Sequence, residues 1–253
     1  MLVTNGCSFV WGDELEGFDN NPPTHWEHTF AHQLAEKLDV PLTNLATCGG
    51  GNMKIFRDCL YYLHHNETPK YMVIIWSAWQ RWEHAEAMAP EIEDTLGIQR
   101  WNSLTQISPE RVHHVRKDVR QMTDDYLAKA QDPRLAITYT LTYMRHMQFL
   151  CDLLGVKLVQ GVFHEKMTQK LFHYLRPEHR EKNWGPWMDL TLEYLSELRD
   201  ECRVGLGPYI DMYSLAKDKY KVHEYGHPCK DTHAEYANLL YHIIQTKCGD
   251  EVE

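Results

Sequence analysis

The sequence predicts an α/β protein built on a mainly parallel sheet with helices on both faces. Short apolar runs alternate along the chain with segments whose apolar residues recur at helical spacing. Tyr71–Trp76 is apolar throughout, as is typical of a strand buried on both faces, and Val156–Val162 is a second buried run of similar length. Strands separated by helices need crossover connections, which favour a parallel sheet between two helical layers.

Four strands are predicted. The first is the short apolar run Met1–Thr4, the second is Leu42–Ala46, and the two buried runs supply the third and fourth. In parallel α/β sheets, ligands bind beyond the carboxyl ends of the strands. The turns that follow the first three strands should therefore meet at one edge of the sheet.

Four helices are predicted from apolar residues that share one face. In the first of them, Phe30, Leu34 and Leu38 follow i, i+4 spacing. Gly155 stands directly after the third, in the usual position of a C-terminal cap. The predicted helices are Thr29–Leu38, Asn52–His64, Leu135–Leu154 and Thr232–Ile244.

We expect one domain over residues 1–253, with helical insertions at about 81–133 and 165–207. Both segments interrupt the alternation of strands and helices. The first is polar and contains Trp82 and Trp101, and the second is rich in histidine, arginine and tryptophan. Insertions after strand ends commonly form lids or substrate walls. Plain packing against the core is the alternative.

The composition excludes several classes of function. A net charge of −10 without a basic stripe argues against nucleic-acid binding. No run approaches the roughly 18 apolar residues that span a bilayer, which argues against a membrane protein. The first residues do not resemble a signal peptide, and the seven cysteines include no C-x-x-C pair. These features predict free thiols and a cytoplasmic location.

The sequence predicts neither a metal nor a cofactor. His28 and His32 have i, i+4 spacing on a predicted helix, but no H-E-x-x-H motif or cysteine cluster accompanies them. A metalloenzyme therefore remains only as an alternative.

A nucleophile and a base are predicted near opposite ends of the chain. Acyl transfer needs a nucleophile, a base, a group that orients the base, and donors for the oxyanion. A tight turn through Gly6-Cys7-Ser8 would present the Ser8 hydroxyl beyond the first strand, where a substrate could reach it. Glu224 stands three residues before His227, so a turn could bring its carboxylate onto the imidazole, as in a Ser-His-Asp triad.

The segment from Asn44 to Asn52 is a candidate oxyanion site. It contains three successive glycines, whose backbone N–H groups could approach an oxyanion closely, and it leads into a helix N-terminus. A flexible turn or a phosphate-binding loop is the alternative. Trp76–Arg81, at the end of the third strand, would bring further polar groups to the same edge.

Together these segments resemble the SGNH hydrolase superfamily, also called GDSL-like lipases and esterases. Gly6-Cys7-Ser8 matches the G-D-S block with Cys for Asp, and Asn44 through Gly49 matches the N-x-x-x-x-G block. Glu224 through Pro228 matches the D-x-x-H-P block with Glu for Asp. The resemblance covers about 1–81 and 209–244, and it is similar to divergent members from bacteriophage genomes. It implies a three-layer α/β/α sandwich with flavodoxin-like topology.

The resemblance implies roles for individual residues. Ser8 would be the nucleophile, His227 the base and Glu224 the residue that orients it, and the N–H groups of Ser8 and Gly49 would hold the oxyanion. The third block differs from the family, because Trp76, Ala78 and Trp79 stand where Gly, Asn and Asp are usual. A side-chain oxyanion donor is therefore missing. The candidates to replace it are Asn52, Ser77 and Gln80.

Two alternatives concern the same chemistry. His233, with Asp231 two residues before it, is an alternative base and acid. Cys7 adjoins Ser8, and a thiolate there would make a thiol enzyme.

The expected function is hydrolysis of an ester through an acyl-enzyme. The expected substrate is an O-acyl group, such as acetyl, on a carbohydrate or another small molecule. The alternative is a non-catalytic module that binds a glycan or a protein partner on a decayed hydrolase fold.

Overall fold

The computed structural model describes the core of the chain and parts of its connecting segments. The described residues are 1–13, 15, 26–79, 81, 83–85, 92–93, 99–100, 103–105, 133–163, 173, 186–206, 209–220, 222–223 and 227–248.

Four parallel strands form the central sheet. The strands of the described residues are β1 (Leu2–Asn5), β2 (Leu42–Asn44), β3 (Tyr71–Trp76), β4 (Glu83–Ala85), β5 (Ile92–Glu93), β6 (Gln99–Arg100), β7 (Ser103–Thr105) and β8 (Lys157–Val162). The sheet has the order β2-β1-β3-β8, and each neighbouring pair is parallel. Strands β4 and β7, and likewise β5 and β6, form short antiparallel pairs.

The helices of the described residues pack in two groups. They are α1 (Ser8–Trp11), α2 (Phe30–Leu38), α3 (Asn52–His65), α4 (Pro133–Leu154), α5 (Pro186–Glu197), α6 (Met212–Lys219) and α7 (Lys230–Lys247), with 3₁₀ turns at Trp26–His28 and Asp200–Cys202. Helix α7 packs against α2 and α6, whereas α4 packs against α3 and α5. All six residues of β3 are buried, so both faces of the sheet are covered. The predicted three-layer α/β/α sandwich with a mainly parallel sheet is confirmed.

The predicted elements are found with small shifts at their ends. Strand β2 ends at Asn44 rather than Ala46, because the Asn44 side chain accepts the N–H of Ala46 (3.1 Å) and turns the chain. Helix α2 begins after Thr29, whose side chain caps it by accepting the N–H of His32. Helix α7 begins at Lys230, two residues before the predicted start at Thr232.

The two predicted insertions are described only in part. In residues 81–133 the described elements before α4 are the short strands β4 to β7, and the helices predicted there fall outside the described residues. In residues 165–207 the described part contains α5 and the 3₁₀ turn Asp200–Cys202. The single-domain organisation stays a prediction.

The outer side of β8 is covered by the segment around Val204. Val204 makes a parallel bridge with Gly161, and its N–H donates to the carbonyl of Gln160 (3.0 Å). The N–H of Val162 donates in turn to the carbonyl of Val204 (2.9 Å). A Cβ at Gly161 would lie 2.8 Å from Val204, so only glycine allows this close approach.

No helix within the described ranges combines the length and the apolar character needed to cross a membrane.

Candidate active site

The turn after β1 carries the candidate nucleophile. Strand β1 ends at Asn5, and Cys7 is the N-cap residue of the single-turn helix α1, whose first residue is Ser8. Ser8 is only 5% exposed. The sequence predicted a hydroxyl that a substrate could reach beyond the first strand, and the structure places that hydroxyl on a largely buried residue.

Gly6 allows this turn to lie against the sheet. A Cβ at Gly6 would come within 2.8 Å of the carbonyl oxygen of Ile75 and would clash with the side chain of Val10. The Gly6 carbonyl also accepts the N–H of Thr47 (3.3 Å), which ties the nucleophile turn to the glycine-rich segment. The close packing leaves no room for any larger residue at position 6.

Replacing Gly6 with alanine is expected to lower the free energy of unfolding by about 1–3 kcal/mol, because the added methyl group overpacks a buried backbone contact. Urea denaturation followed by circular dichroism would measure this. Gly51→Ala is the matched control: a Cβ there would lie 3.5 Å from the Arg81 carbonyl, at ordinary contact distance. That variant should remain within about 1 kcal/mol of the parent. Equal losses at the two positions would contradict the argument.

His227 lies beside Ser8. Its Nε2 is 2.8 Å from the Ser8 Oγ, although the two residues are 219 positions apart in the sequence. The imidazole is 4% exposed, and its centroid lies 5.2 Å from that of the Phe9 ring. A short bridge between Val222 and Pro228, and a hydrogen bond from the His223 N–H to the His227 carbonyl (2.8 Å), hold the segment that carries His227. With Nε2 unprotonated, the Ser8 hydroxyl donates to it.

A carboxylate approaches the same side of this imidazole. Helix α1 ends at Gly12, which has a φ of 86°, and the N–H groups of Gly12 and Asp13 both donate to the Ser8 carbonyl (2.9 and 3.0 Å). This turn brings the Asp13 Oδ2 to 3.7 Å from the His227 Nε2. Asp13 was not predicted from the sequence as a site residue. The signal that could have found it is Gly12, a glycine four residues after the serine that marks a helix end.

Glu224, the residue predicted to orient His227, lies outside the described residues. Its role stays a prediction.

His233, the alternative base, is engaged elsewhere. Its Nδ1 accepts the N–H of Phe30 (3.0 Å), and its ring stacks on the Phe30 ring at a centroid distance of 5.9 Å. Burial, with smaller contributions from His227 and His223, lowers the pKa of His233 to about 3. His233 is therefore a neutral, buried acceptor that joins α7 to α2. Asp231, the alternative acid, is exposed in the first turn of α7.

The glycine-rich segment supplies Gly49, whose backbone N–H is the second candidate donor to an oxyanion, after that of Ser8. Gly49 has a φ of 77°, a conformation that favours glycine. The next N–H, that of Gly50, is used internally, because it donates to the Thr47 carbonyl (3.0 Å). Within the described part of the chain, no hydrogen-bond partner is found for the N–H groups of Ser8 and Gly49. Both are available to a ligand.

Asn52 does not offer the side-chain donor that was considered for it. Its Nδ2 donates to the Ser77 carbonyl (3.0 Å) and to the Thr140 Oγ1 (2.9 Å), so both amide hydrogens are used. Its Oδ1 accepts the N–H of Ser77 (2.6 Å). The side chain is 3% exposed and links α3, the end of β3 and α4. This correction follows from burial: an amide buried there must bond within the protein.

The other two candidates for a side-chain oxyanion donor, Ser77 and Gln80, gain no support from the contacts of the described residues. Ser77 is fully buried, and its Oγ has no hydrogen-bond partner among the described atoms. Gln80 lies outside the described residues.

The two cysteines near the site differ in their surroundings. Cys7 is fully buried. Cys48 is exposed as a whole residue, but its sulfur is packed among other atoms. This burial and the nearby Asp13 carboxylate raise the pKa of the Cys48 thiol to about 12. Cys48 is therefore a thiol rather than a thiolate at neutral pH. Ser8 is the candidate nucleophile with an imidazole within hydrogen-bond distance.

The histidine pair considered as a metal site makes other contacts. The His28 Nε2 lies 3.6 Å from Glu27, and the His32 Nε2 lies 3.4 Å from Glu36. Among the residues that the structure describes, no group of three potential ligands is arranged to hold a metal.

Comparison with known proteins finds similarity in structure alone. No protein-family model matches the chain, and the search of curated proteins finds no match. The structure of TesA aligns with 96% of this chain and 97% of its own, at 10% identity and a TM-score of 0.51. A protein assigned to the G-D-S-L lipolytic family from Desulfitobacterium hafniense DCB-2 aligns over 96% and 98%, at 8% identity and a TM-score of 0.47.

A carbohydrate esterase of family two from Clostridium thermocellum, solved with cellohexaose, is also similar. It aligns with 98% of this chain and 64% of its own, at 14% identity and a TM-score of 0.47. The match to TesA extends over nearly the whole of both chains and agrees with the parallel sheet described above. The chain therefore has a three-layer α/β/α fold similar to that of TesA.

Proposed function

We propose that the protein is a serine hydrolase that cleaves an ester through an acyl-enzyme. The observation that supports this most is the 2.8 Å distance between the Ser8 Oγ and the His227 Nε2, both nearly buried at the carboxyl edge of the sheet. A hydroxyl is a weak nucleophile until a base accepts its proton, and a nucleophile–base pair within hydrogen-bond distance is the arrangement this chemistry needs.

In the proposed first step, the Ser8 Oγ attacks the ester carbonyl while its proton moves to the His227 Nε2. The carbonyl π electrons move to oxygen, and the N–H groups of Ser8 and Gly49 stabilise that oxyanion. The imidazolium then protonates the leaving alkoxide as the C–O bond breaks. Water attacks the acyl-enzyme with His227 again as the base, which releases the acid and restores Ser8. Glu224 is proposed to orient His227.

The test is covalent labelling with a fluorophosphonate. This reagent phosphonylates an activated serine: the serine oxygen bonds to phosphorus, fluoride leaves, and the neighbouring base takes the hydroxyl proton. We expect one label per chain, located at Ser8 by peptide mass spectrometry, and none in Ser8→Ala. Ser196→Ala is the control, because Ser196 is an exposed serine of α5. Label at Cys7 would support the thiol enzyme, and a folded protein without label would favour the non-catalytic binding module.

The substrate is proposed to be a short O-acyl ester, such as an acetyl group on a carbohydrate or another small molecule. Ser8 is 5% exposed and His227 4%, so the acyl group must enter a nearly closed space. A site of this kind selects by size, because it cannot hold a longer chain without opening.

For a series of p-nitrophenyl esters, kcat/KM is expected to fall by about tenfold or more from acetate to octanoate. Each rate should be divided by the spontaneous hydrolysis rate of the same ester, to remove intrinsic reactivity. A rate that rises with chain length would show that the acyl site is open and would contradict the short-acyl proposal.

A further inference from the structure

We propose that Asp13 is a positioning residue whose carboxylate stabilises the protonated form of His227 from the side on which Ser8 lies. The proposal rests on the proposed hydrolase function for its catalytic meaning, because an imidazolium forms on His227 only if it accepts the Ser8 proton.

The geometry differs from that of a Ser-His-Asp triad. In the triad, the carboxylate contacts Nδ1, the ring nitrogen that faces away from the serine. Here the Asp13 Oδ2 lies 3.7 Å from Nε2, the nitrogen that also lies 2.8 Å from the Ser8 Oγ. At 3.7 Å the carboxylate acts through its charge. Its action would add to the orienting role proposed for Glu224.

The position of Asp13 is fixed by the nucleophile's own turn. The Asp13 N–H donates to the Ser8 carbonyl (3.0 Å), and Gly12 takes the left-handed conformation that reverses the chain after α1. The Asp13 carboxylate also lies near the Cys48 thiol, and its charge helps to raise the pKa of that thiol. The turn therefore holds the carboxylate near Nε2, although its side chain is 25% exposed.

Several other titratable groups of the described residues lie around this site. His233 and His223 are neighbouring imidazoles, and His233 is neutral because its pKa is lowered to about 3. The Cys48 thiol is influenced by the charges of Asp13, Cys7 and the Arg81 guanidinium. Arg81 also donates to the Gly50 carbonyl (3.4 Å) on the glycine-rich segment. Of the described carboxylates, Asp13 is the one within 4 Å of His227.

Charge develops on His227 only during the reaction. Before the proposed reaction begins, Nε2 carries no proton and accepts the Ser8 hydrogen bond. As the Oγ–carbon bond forms, Nε2 gains a proton and the ring becomes positive, 3.7 Å from the Asp13 carboxylate. Asp13 transfers no proton. An attraction that is present in the transition state and absent in the ground state raises kcat rather than lowering KM.

The test compares Asp13→Asn, which keeps the shape but removes the charge, with Asp13→Glu, which keeps the charge. Asp39→Asn is the matched control. Asp39 is an exposed carboxylate in the left-handed position after α2, which asparagine tolerates, and it precedes β2 at the opposite edge of the sheet. The measurements are NMR titration of the His227 ring and steady-state hydrolysis of p-nitrophenyl acetate.

In Asp13→Asn, the His227 resonances should change at a lower pH than in the parent, because a negative charge near the ring has been removed. The low-pH limb of the rate profile should move in the same direction. We expect kcat to fall about tenfold with KM nearly unchanged, and Asp13→Glu to recover part of the loss. Asp39→Asn should match the parent in every measurement.

An unmoved His227 titration in a folded Asp13→Asn protein would overturn the inference, even if the parent is an active hydrolase. A moved titration in a protein that neither hydrolyses esters nor takes the fluorophosphonate would support the charge pairing and overturn only the hydrolase assignment. The two failures are therefore distinguishable.

Discussion

Replacing either Ser8 or His227 with alanine is expected to lower kcat for p-nitrophenyl acetate by about 10⁴-fold to 10⁶-fold. The two side chains form one hydrogen-bonded unit, with 2.8 Å between Oγ and Nε2. Without the imidazole the hydroxyl keeps its proton, and without the hydroxyl the imidazole has no nucleophile to activate. Stopped-flow or steady-state kinetics with each purified variant would measure the loss, while KM should change little.

The double variant Ser8→Ala/His227→Ala provides the sharper comparison. Residues that act as a unit are strongly non-additive, so the double variant should lose no more activity than the worse single variant. His146→Ala and Ser196→Ala are the matched controls, since both are exposed residues of helices α4 and α5. Single losses that multiply in the double variant would show that Ser8 and His227 act independently.

Replacing Trp76 with alanine is expected to lower the free energy of unfolding by about 3–5 kcal/mol. Trp76 is the last residue of β3 and is fully buried. Its indole N–H donates to the Gln160 Oε1 (3.0 Å) on β8, and the Gln160 amide donates in turn to the Met144 carbonyl (2.9 Å) on α4. The substitution removes a large buried volume and also leaves the Gln160 oxygen without its partner.

Urea denaturation with the linear extrapolation would measure this loss. Trp76→Phe separates the two contributions in part, because it keeps one aromatic ring in the core but removes the indole N–H together with the five-membered ring. We expect that variant to lose less than half as much stability as Trp76→Ala. Trp26→Ala is the matched control at a residue that is 42% exposed, and it should cost about 1 kcal/mol or less. A similar loss at both tryptophans would contradict the packing argument.

The elements that could be predicted from the sequence are those whose pattern is local. The continuous apolar run fixed the limits of β3, and the apolar spacing of Phe30 and Leu34 located α2. Helix α1 was not predicted, because one turn is too short to show a helical period. Residues 212–219 form α6, which was not predicted because its apolar periodicity is weak among its charged residues.

Within the candidate site, a residue's role could be predicted when it is marked by a local motif, and could not when it depends on a contact with a residue far away in the sequence. Ser8 and His227 were identified by their local blocks, and the structure brings them together. Asn52 was wrongly considered as a donor to ligand, since its partner Thr140 is 88 residues away and nothing near Asn52 indicates that contact. Asp13 was missed for a similar reason: a single aspartate after a glycine in a polar segment is typical of many ordinary turns.

The bridge between Gly161 and Val204 has a consequence for the behaviour of the protein at high concentration. An open sheet presents unpaired backbone groups at its two outer strands, and these can recruit strands from other molecules into aggregates. Here the C-terminal half of one border is paired by the chain itself, because Val204 exchanges hydrogen bonds with Gln160 and Val162. The opposite border is β2, which is only three residues long. Within the described strands, the length left unpaired at each border is therefore short, which limits the template on which amyloid-like growth could begin.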